Sequence, residues 1–418
     1  MATSPKDHRT IFLYSGTMAV ALYFVSPAVG AFIIPFSFIL KNKLHFTANG
    51  LALFGFWASV PGYLCFLFGM IRDFWNPFGL KDRGYFILFG ATAAALYTLA
   101  AFVPASAGTM FVTSLLTTVS YLFLWAAWNG LASTIARQHD MSGQISAVFN
   151  LAGTASTIGA LALGGVLSDA LEAMPTALAV RSLFLIAAVA MSAIAVLGLL
   201  KPRAVFGAHS ESAGDRRSIL ADLGRLIWHR PVYPALAIWL LWNFSPASQT
   251  PLQYYLSDVL HASDRDWGAY NSLLAAAAIP SFILFGFLSR KFSLGTLIWV
   301  GAIIGVPQMV PLLFVHTTNG VLATAVVAGF LGGMATGAFF DLLMRACPAS
   351  LEGSLMMLAW GMYSLSTSVG NVWGTALYEH GGGFFVCIIA TTLCYAAILP
   401  LILLVPQSLL VKADEAAV

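Results

Sequence analysis

Apolar stretches of about 20 residues recur along the whole 418-residue chain, and nothing else limits its fold as strongly. Each is long enough to cross a hydrocarbon core of ~30 Å as an α-helix. Barrel strands would be half that length and would alternate apolar with polar residues, which these stretches do not. Only 9% of the residues are charged, against ~25% in a soluble domain, so most of the surface cannot face water. The sequence therefore predicts an all-α polytopic membrane protein.

Charges, Gly/Pro clusters and polar breaks divide the chain into twelve spans, at 11–39, 47–71, 85–104, 108–136, 143–168, 179–200, 231–257, 267–289, 293–315, 320–344, 352–378 and 383–407. With both termini in the cytoplasm, 16 of the 20 Lys and Arg residues fall inside, and only Lys41, Lys43, Arg181 and Arg265 fall outside. That bias fixes orientation, and an odd number of spans would scramble it. The N-terminal MATSPKDHRT carries no cleavable signal pattern, so the first span is expected to act as its own signal, placing the chain in the plasma (inner) membrane. Cys65, Cys347, Cys387 and Cys394 are scattered without a CxxC pair and read as packing residues. The net charge of +3 reflects topology and points to no nucleic-acid partner.

The longest hydrophilic segment, 201–230, separates six spans from six. Within it Ile219, Leu220, Leu223, Leu226 and Ile227 recur at helical spacing opposite Arg217, Asp222 and Arg225, the pattern of an amphipathic surface helix. The expected domains are 1–200, a linker at 201–230, and 231–418. Internal matches support a duplication. Ser26-Pro27-Ala28 repeats as Ser245-Pro246-Ala247 at an offset of 219, and Gly69 as Gly286 at 217. Ser156-Thr157, Gly164 and Asp169 repeat as Ser366-Thr367, Gly374 and Glu379 at 210.

The loop after span two, GMIRDFWNPFGLKDRG (69–84), places Gly69 four residues before Asp73 and sets Lys81, Asp82 and Arg83 before span three. With the duplication, this resembles the signature loop of the major facilitator superfamily, stretched by an inserted FWNPFG. A degenerate copy, GFLSRKFSLG (286–295), keeps Arg290 and lacks the aspartate. The resemblance implies two pseudo-symmetric six-helix bundles, and an Asp73 that caps span eleven near Glu352-Gly353 and steadies the outward-open state. Asp73, Arg83, Arg290 and Glu352 are then gating residues. A set of merely solvated loop charges is the alternative. In the second half, LLWNFSPASQTPLQYYL (240–256) and the Cys347-Pro348…Glu352-Gly353-Ser354 entry to span eleven look like the folate–biopterin transporter branch, with Ser354 in place of its usual Thr.

In a transporter of two halves the solute binds near the bilayer midplane between them. Candidate solute-binding residues are therefore the mid-span polar and aromatic side chains: Tyr23, Trp125, Asn129 and Asn150 in the first half, and Trp242, Asn243, Gln249, Gln253, Asn271, Gln308, Trp360 and Asn371 in the second. Tyr121, Trp125 and Asn129 share a helical face. Each could instead serve an interhelical hydrogen bond or packing, but Asn243, Gln249 and Gln253 cluster in one span. Pro27, Pro246 and Pro251 are the expected hinges, because irregular backbone at that depth is tolerated where it lines a cavity. No Asp, Glu, Lys or Arg falls at a span centre, and all eight histidines lie in loops or at span ends. The nearest charge, Asp341, has Arg345 at i+4, the spacing of an ion pair at a gate. A cavity of amides and aromatics suits a neutral or zwitterionic solute with a planar ring.

These features predict a secondary transporter, monomeric and without cofactor, that moves a small organic solute through the lipid bilayer by alternating access. No GxxxxGK[ST] loop is present for ATP, and no HExxH motif or Cys/His cluster suggests an enzyme. The competing reading is a non-transporting receptor or assembly factor, which would not need a polar cavity.

Overall fold

The computed structural model describes residues 5–138, 142–206, 229–289, 291–346 and 352–410, and the regular secondary structure among them is helical. Seven helical stretches there are long and apolar enough to cross a membrane: Ala107–Ile135, Leu151–Glu172, Thr176–Leu199, Asp264–Leu288, Leu294–Leu313, Thr318–Arg345 and Phe384–Ile402. Spans three to six form the unbroken helices Asp82–Ala100, Ala107–Gln138, Ser142–Glu172 and Thr176–Leu199. Asp264–Leu288, Thr318–Arg345 and Glu352–His380 do the same for spans eight, ten and eleven. The amphipathic segment 217–227 lies outside the described residues.

The other spans are broken where the sequence removes a backbone donor. Span one runs as Pro5–Phe24, turns through Ser26-Pro27, and resumes at Ile33–Phe38. Span seven stops at Asn243 and resumes at Thr250. Span nine unwinds between Leu294–Gly305 and Val310–Leu313, around Pro307. The sequence does not predict that break, since Pro307 and Pro311 in an apolar run also read as kinks in one continuous helix.

By its contacts the chain divides into two compact units, Met1–His45 with Val60–Gly214, and Phe46–Ser59 with Asp215–Val418. The first packs around Ile11, Met18, Leu22, Phe86, Leu124 and Trp128, the second around Ile238, Trp242, Ile298, Phe339 and Ile398. Helix Ala48–Ala58 is held in the second unit by polar contacts at its N-terminus. There the Asn49 N–H donates to Glu379 Oε1 (2.8 Å), and the Tyr254 hydroxyl donates to the Phe46 carbonyl. A carboxylate at that helix end also meets a favourable dipole.

The units share construction details that follow from the duplicated sequence. Ser156 Oγ donates to the Val20 carbonyl (2.8 Å), and its repeat partner Ser366 donates to the Leu240 carbonyl (2.7 Å). Gly164 and Gly374 each lie against backbone at the break of the first span of their half: a Cβ would stand 2.7 Å from Ala31 O in one and 2.0 Å from Pro246 O in the other. The same spans end in π-turns, Ile39–Lys43 and Tyr255–Val259. A Leu-His pair follows each, with positive φ at His45 (54°) and His261 (53°). Histidine is among the non-glycine residues enriched at positive φ. This Leu-His match, at an offset of 216, is a further repeat between the halves.

Candidate functional site: the broken seventh span

Helix Val232–Asn243 ends because Pro246 has no N–H to return and its ring would clash with the carbonyl four residues back. The exposed end is satisfied locally. Asn243 Nδ2 donates to the Trp239 carbonyl (2.8 Å), and the Phe244 N–H to that of Leu241 (3.2 Å). The chain is extended at Phe244 (φ −87°, ψ 91°). It turns through Ser245–Ser248 and re-enters a helix at Thr250–Tyr254, with Pro251 in the first turn. Proline suits that place, where its missing N–H costs nothing, so Pro251 starts a helix while Pro246 stops one.

Gln249 joins the two pieces at φ 54°, ψ −120°. This is the first central position of a type II′ turn, where glycine is the rule. A glutamine there costs about 1–3 kcal/mol and persists only if its surroundings impose it. They do. The Ala247 N–H donates to Thr391 Oγ1 (2.8 Å), the Thr250 N–H to Asn371 Oδ1 (3.1 Å), and Asn371 Nδ2 back to Thr250 Oγ1 (3.0 Å). Span eleven adds two glycines, since a Cβ at Gly370 would stand 3.0 Å from Ser245 N and one at Gly374 2.0 Å from Pro246 O. The Gln249 side chain is exposed, whereas Gln253, one turn on, is buried.

Asn371 thus sits at the break as a clamp on buried Thr250. Changing it to Leu should leave the Thr250 N–H unpaired and cost about 1–3 kcal/mol. A lowered Tm of the purified protein checks this, and an unchanged Tm would mean the clamp carries no energy.

The other candidates have separate settings. Trp242 is 6% exposed, donates from Nε1 to Thr336 Oγ1 (2.8 Å) and packs on Tyr395 (4.7 Å between centroids). Asn271 donates to the Trp267 carbonyl (2.8 Å). Gln308 is buried beside Tyr395, with Oε1 in room left by Gly332. Trp360 is 50% exposed, edge-on to Tyr363. In the first unit Tyr23, Tyr121 and Trp125 form one aromatic group, with centroids 5.3 Å apart for Tyr23–Trp125 and 6.1 Å for Tyr121–Trp125. Gly153 makes room for the Tyr23 ring, and exposed Asn129 donates to the Trp125 carbonyl (2.8 Å). At the turn of span one, Ser26 Oγ accepts from the N–H groups of Ala28 and Val29, around Pro27. The Asn150 side chain lies outside the described ones.

Of the gating candidates, Asp341 and Arg345 pair through Nε–Oδ1 (3.2 Å) and Nη2–Oδ2 (3.1 Å). Arg83 donates to the carbonyls of Gly198 (3.2 Å) and Leu199 (3.1 Å), at the end of helix Thr176–Leu199. Arg290 and the side chains of Asp73 and Glu352 lie outside the description. Sequence reasoning missed a bidentate pair in the same loop, Arg72 with Asp82 (Nε–Oδ1 2.8 Å, Nη2–Oδ2 2.9 Å), laid over Gly130. Its signal was Gly130 itself, a small residue facing a long cation. A cavity of about 530 Å³ in the second unit, lined by Tyr255, Leu312, His316, Tyr378, Phe384 and Ile388, contains none of the candidates.

The sequence model of the Major Facilitator Superfamily matches residues 19–371. The chain belongs to the major facilitator superfamily. Solved members of similar fold include a mutant of the nucleoside transporter NupG (TM-score 0.71, 11% identity, 93% of this chain and 99% of that one). A bacterial homologue of the human lysosomal transporter Spinster is as similar (0.71, 15%, 97% and 98%). The E. coli xylose transporter XylE follows (0.66, 12%, 95% and 96%). At such identities the likeness shows fold alone, an all-helical one. No curated protein sequence matches the chain. This facilitator protein is therefore an integral membrane protein whose family and structural neighbours are transporters, and its own solute must be argued from its residues.

Proposed function

We propose that this facilitator protein is a secondary transporter of a small neutral or zwitterionic organic solute with a planar ring, such as a pterin, and that it works by alternating access. One observation carries the reading: an exposed glutamine, Gln249, is held in a glycine conformation within the break of span seven. Where glycine would relieve the strain, a retained amide implies that the side chain acts. A glutamine offers one acceptor and two donors, which match the edge of a heteroaromatic ring. The likeness of 240–256 to the folate–biopterin branch adds the pterin to the candidates. The absence of charge at span centres argues against a permanently charged solute. In this reading the protein works as a monomer in the plasma (inner) membrane, with both termini in the cytoplasm.

The test is uptake into proteoliposomes of a labelled pterin, a nucleoside and a neutral amino acid, each with and without a pH gradient. Saturable uptake of the ring solutes is expected. Transport of the amino acid alone would remove the planar-ring assignment, and no transport of any of the three would overturn the reading.

A further inference from the structure

The inserted FWNPFG has no part in transport as proposed, yet the turn from Phe74 to Lys81 holds two of the five non-glycine residues at positive φ among the described residues. Helix Cys65–Phe74 ends at extended Trp75, and Pro77–Gly79 form a 3₁₀ turn with Phe78 at φ 57°, ψ 14°. A bulky residue at positive φ is an outlier. Lys81, three residues on, adopts φ 52°, ψ −134°. The turn is nonetheless firmly braced. Asn76 Oδ1 accepts from the Lys81 N–H (2.6 Å), and the Tyr85 hydroxyl donates to the Trp75 carbonyl (2.6 Å). Pro77 is buried, with its carbonyl packed on Gly84, where a Cβ would stand only 2.2 Å away. The Trp75 ring rests edge-on against Tyr85 (5.7 Å) and Phe89 (6.0 Å).

This bracing presents apolar surface outward. Phe78 is 67% exposed and Trp75 46%. They follow Leu64, Leu67 and Ile71, exposed apolar residues at helical spacing on span two. The turn also joins two membrane spans and lies beside the Arg72–Asp82 pair, whose arginine is the first charge after the apolar run of span two. The degenerate copy of the loop in the second half also exposes a phenylalanine, Phe292. In water, strain and apolar exposure would both be costs. At a membrane–water boundary the exposed rings find a favourable medium, as interfacial aromatics do.

We infer that the FWNPFG turn is a lipid-inserting anchor, with Phe78 and Trp75 seated at the headgroup–acyl boundary and fixing the depth of the span two–three connection. A nitroxide attached at Phe78→Cys, in vesicles of phosphatidylethanolamine and phosphatidylglycerol, reads depth from collisions with oxygen and with a water-soluble nickel complex. The unsubstituted protein supplies the background of its native cysteines. Uptake by the labelled Phe78→Cys protein, with an unchanged Tm, guards against a misfolded turn. The expected result is oxygen accessibility above nickel accessibility at position 78. Water-like accessibility there, with uptake retained, would overturn the anchor and leave a surface for a protein partner.

Discussion

Gly374→Ala should cripple the second unit. Its Cβ would lie 2.0 Å from the carbonyl oxygen of Pro246 and 2.7 Å from the carbonyl carbon, both fixed backbone atoms. No rotamer change can relieve that contact, so span eleven must withdraw from the break. Overpacking of this kind costs about 1–3 kcal/mol, and more where backbone is struck. Withdrawal would also loosen the Asn371 clamp one turn away, so the loss should exceed that of Asn371→Leu. The readout is Tm together with initial uptake rate, both expected to fall, the rate by more than tenfold. Gly286→Ala is the control, because a Cβ there meets nothing within 4 Å. Equal behaviour of the two variants would mean that span eleven does not hold the break.

Gln249→Gly should separate stability from transport. Glycine adopts φ 54°, ψ −120° without the penalty a glutamine carries there, so the strain of about 1–3 kcal/mol is relieved. Part of that gain is offset by glycine's larger entropy loss on folding, about 0.5–1 kcal/mol. Thermal stability should therefore hold or rise while uptake falls by at least tenfold through loss of the amide. Gln249→Ala should lose transport equally without the stability gain. A Gln249→Gly protein that transports normally would show that the strained residue is kept for no purpose of recognition.

How far the sequence revealed this architecture depended on the kind of signal. The spans were legible because lipid demands about 20 apolar residues per crossing and tolerates few charges between. The breaks at Pro27 and Pro246 were legible because a serine–proline step recurs in both halves, whereas Pro307 and Pro311 belong to no such repeat and passed for kinks. At the site, the amides of span seven were visible as residues too costly to leave unexplained in lipid. Their roles were not. Asn371 and Gln253 look alike in sequence, yet one clamps Thr250 and the other is buried one turn beyond the break. The conformation of Gln249 was invisible, because no local pattern announces a glycine angle forced on a glutamine by Thr391 and Asn371, more than 100 residues away. The Arg72–Asp82 pair was hidden in the same way by a loop that had to fold back first.

Contact between the solute and position 249 can be measured directly. A Gln249→Cys protein in proteoliposomes, treated with a small thiol reagent, gives the rate of alkylation at that position. Adding a solute that the unsubstituted protein transports should slow alkylation, half-maximally near the concentration at which the Gln249→Cys protein itself half-saturates with that solute. If the Gln249→Cys protein still binds the solute while alkylation proceeds at an unchanged rate, the solute is recognised elsewhere and Gln249 does not contact it.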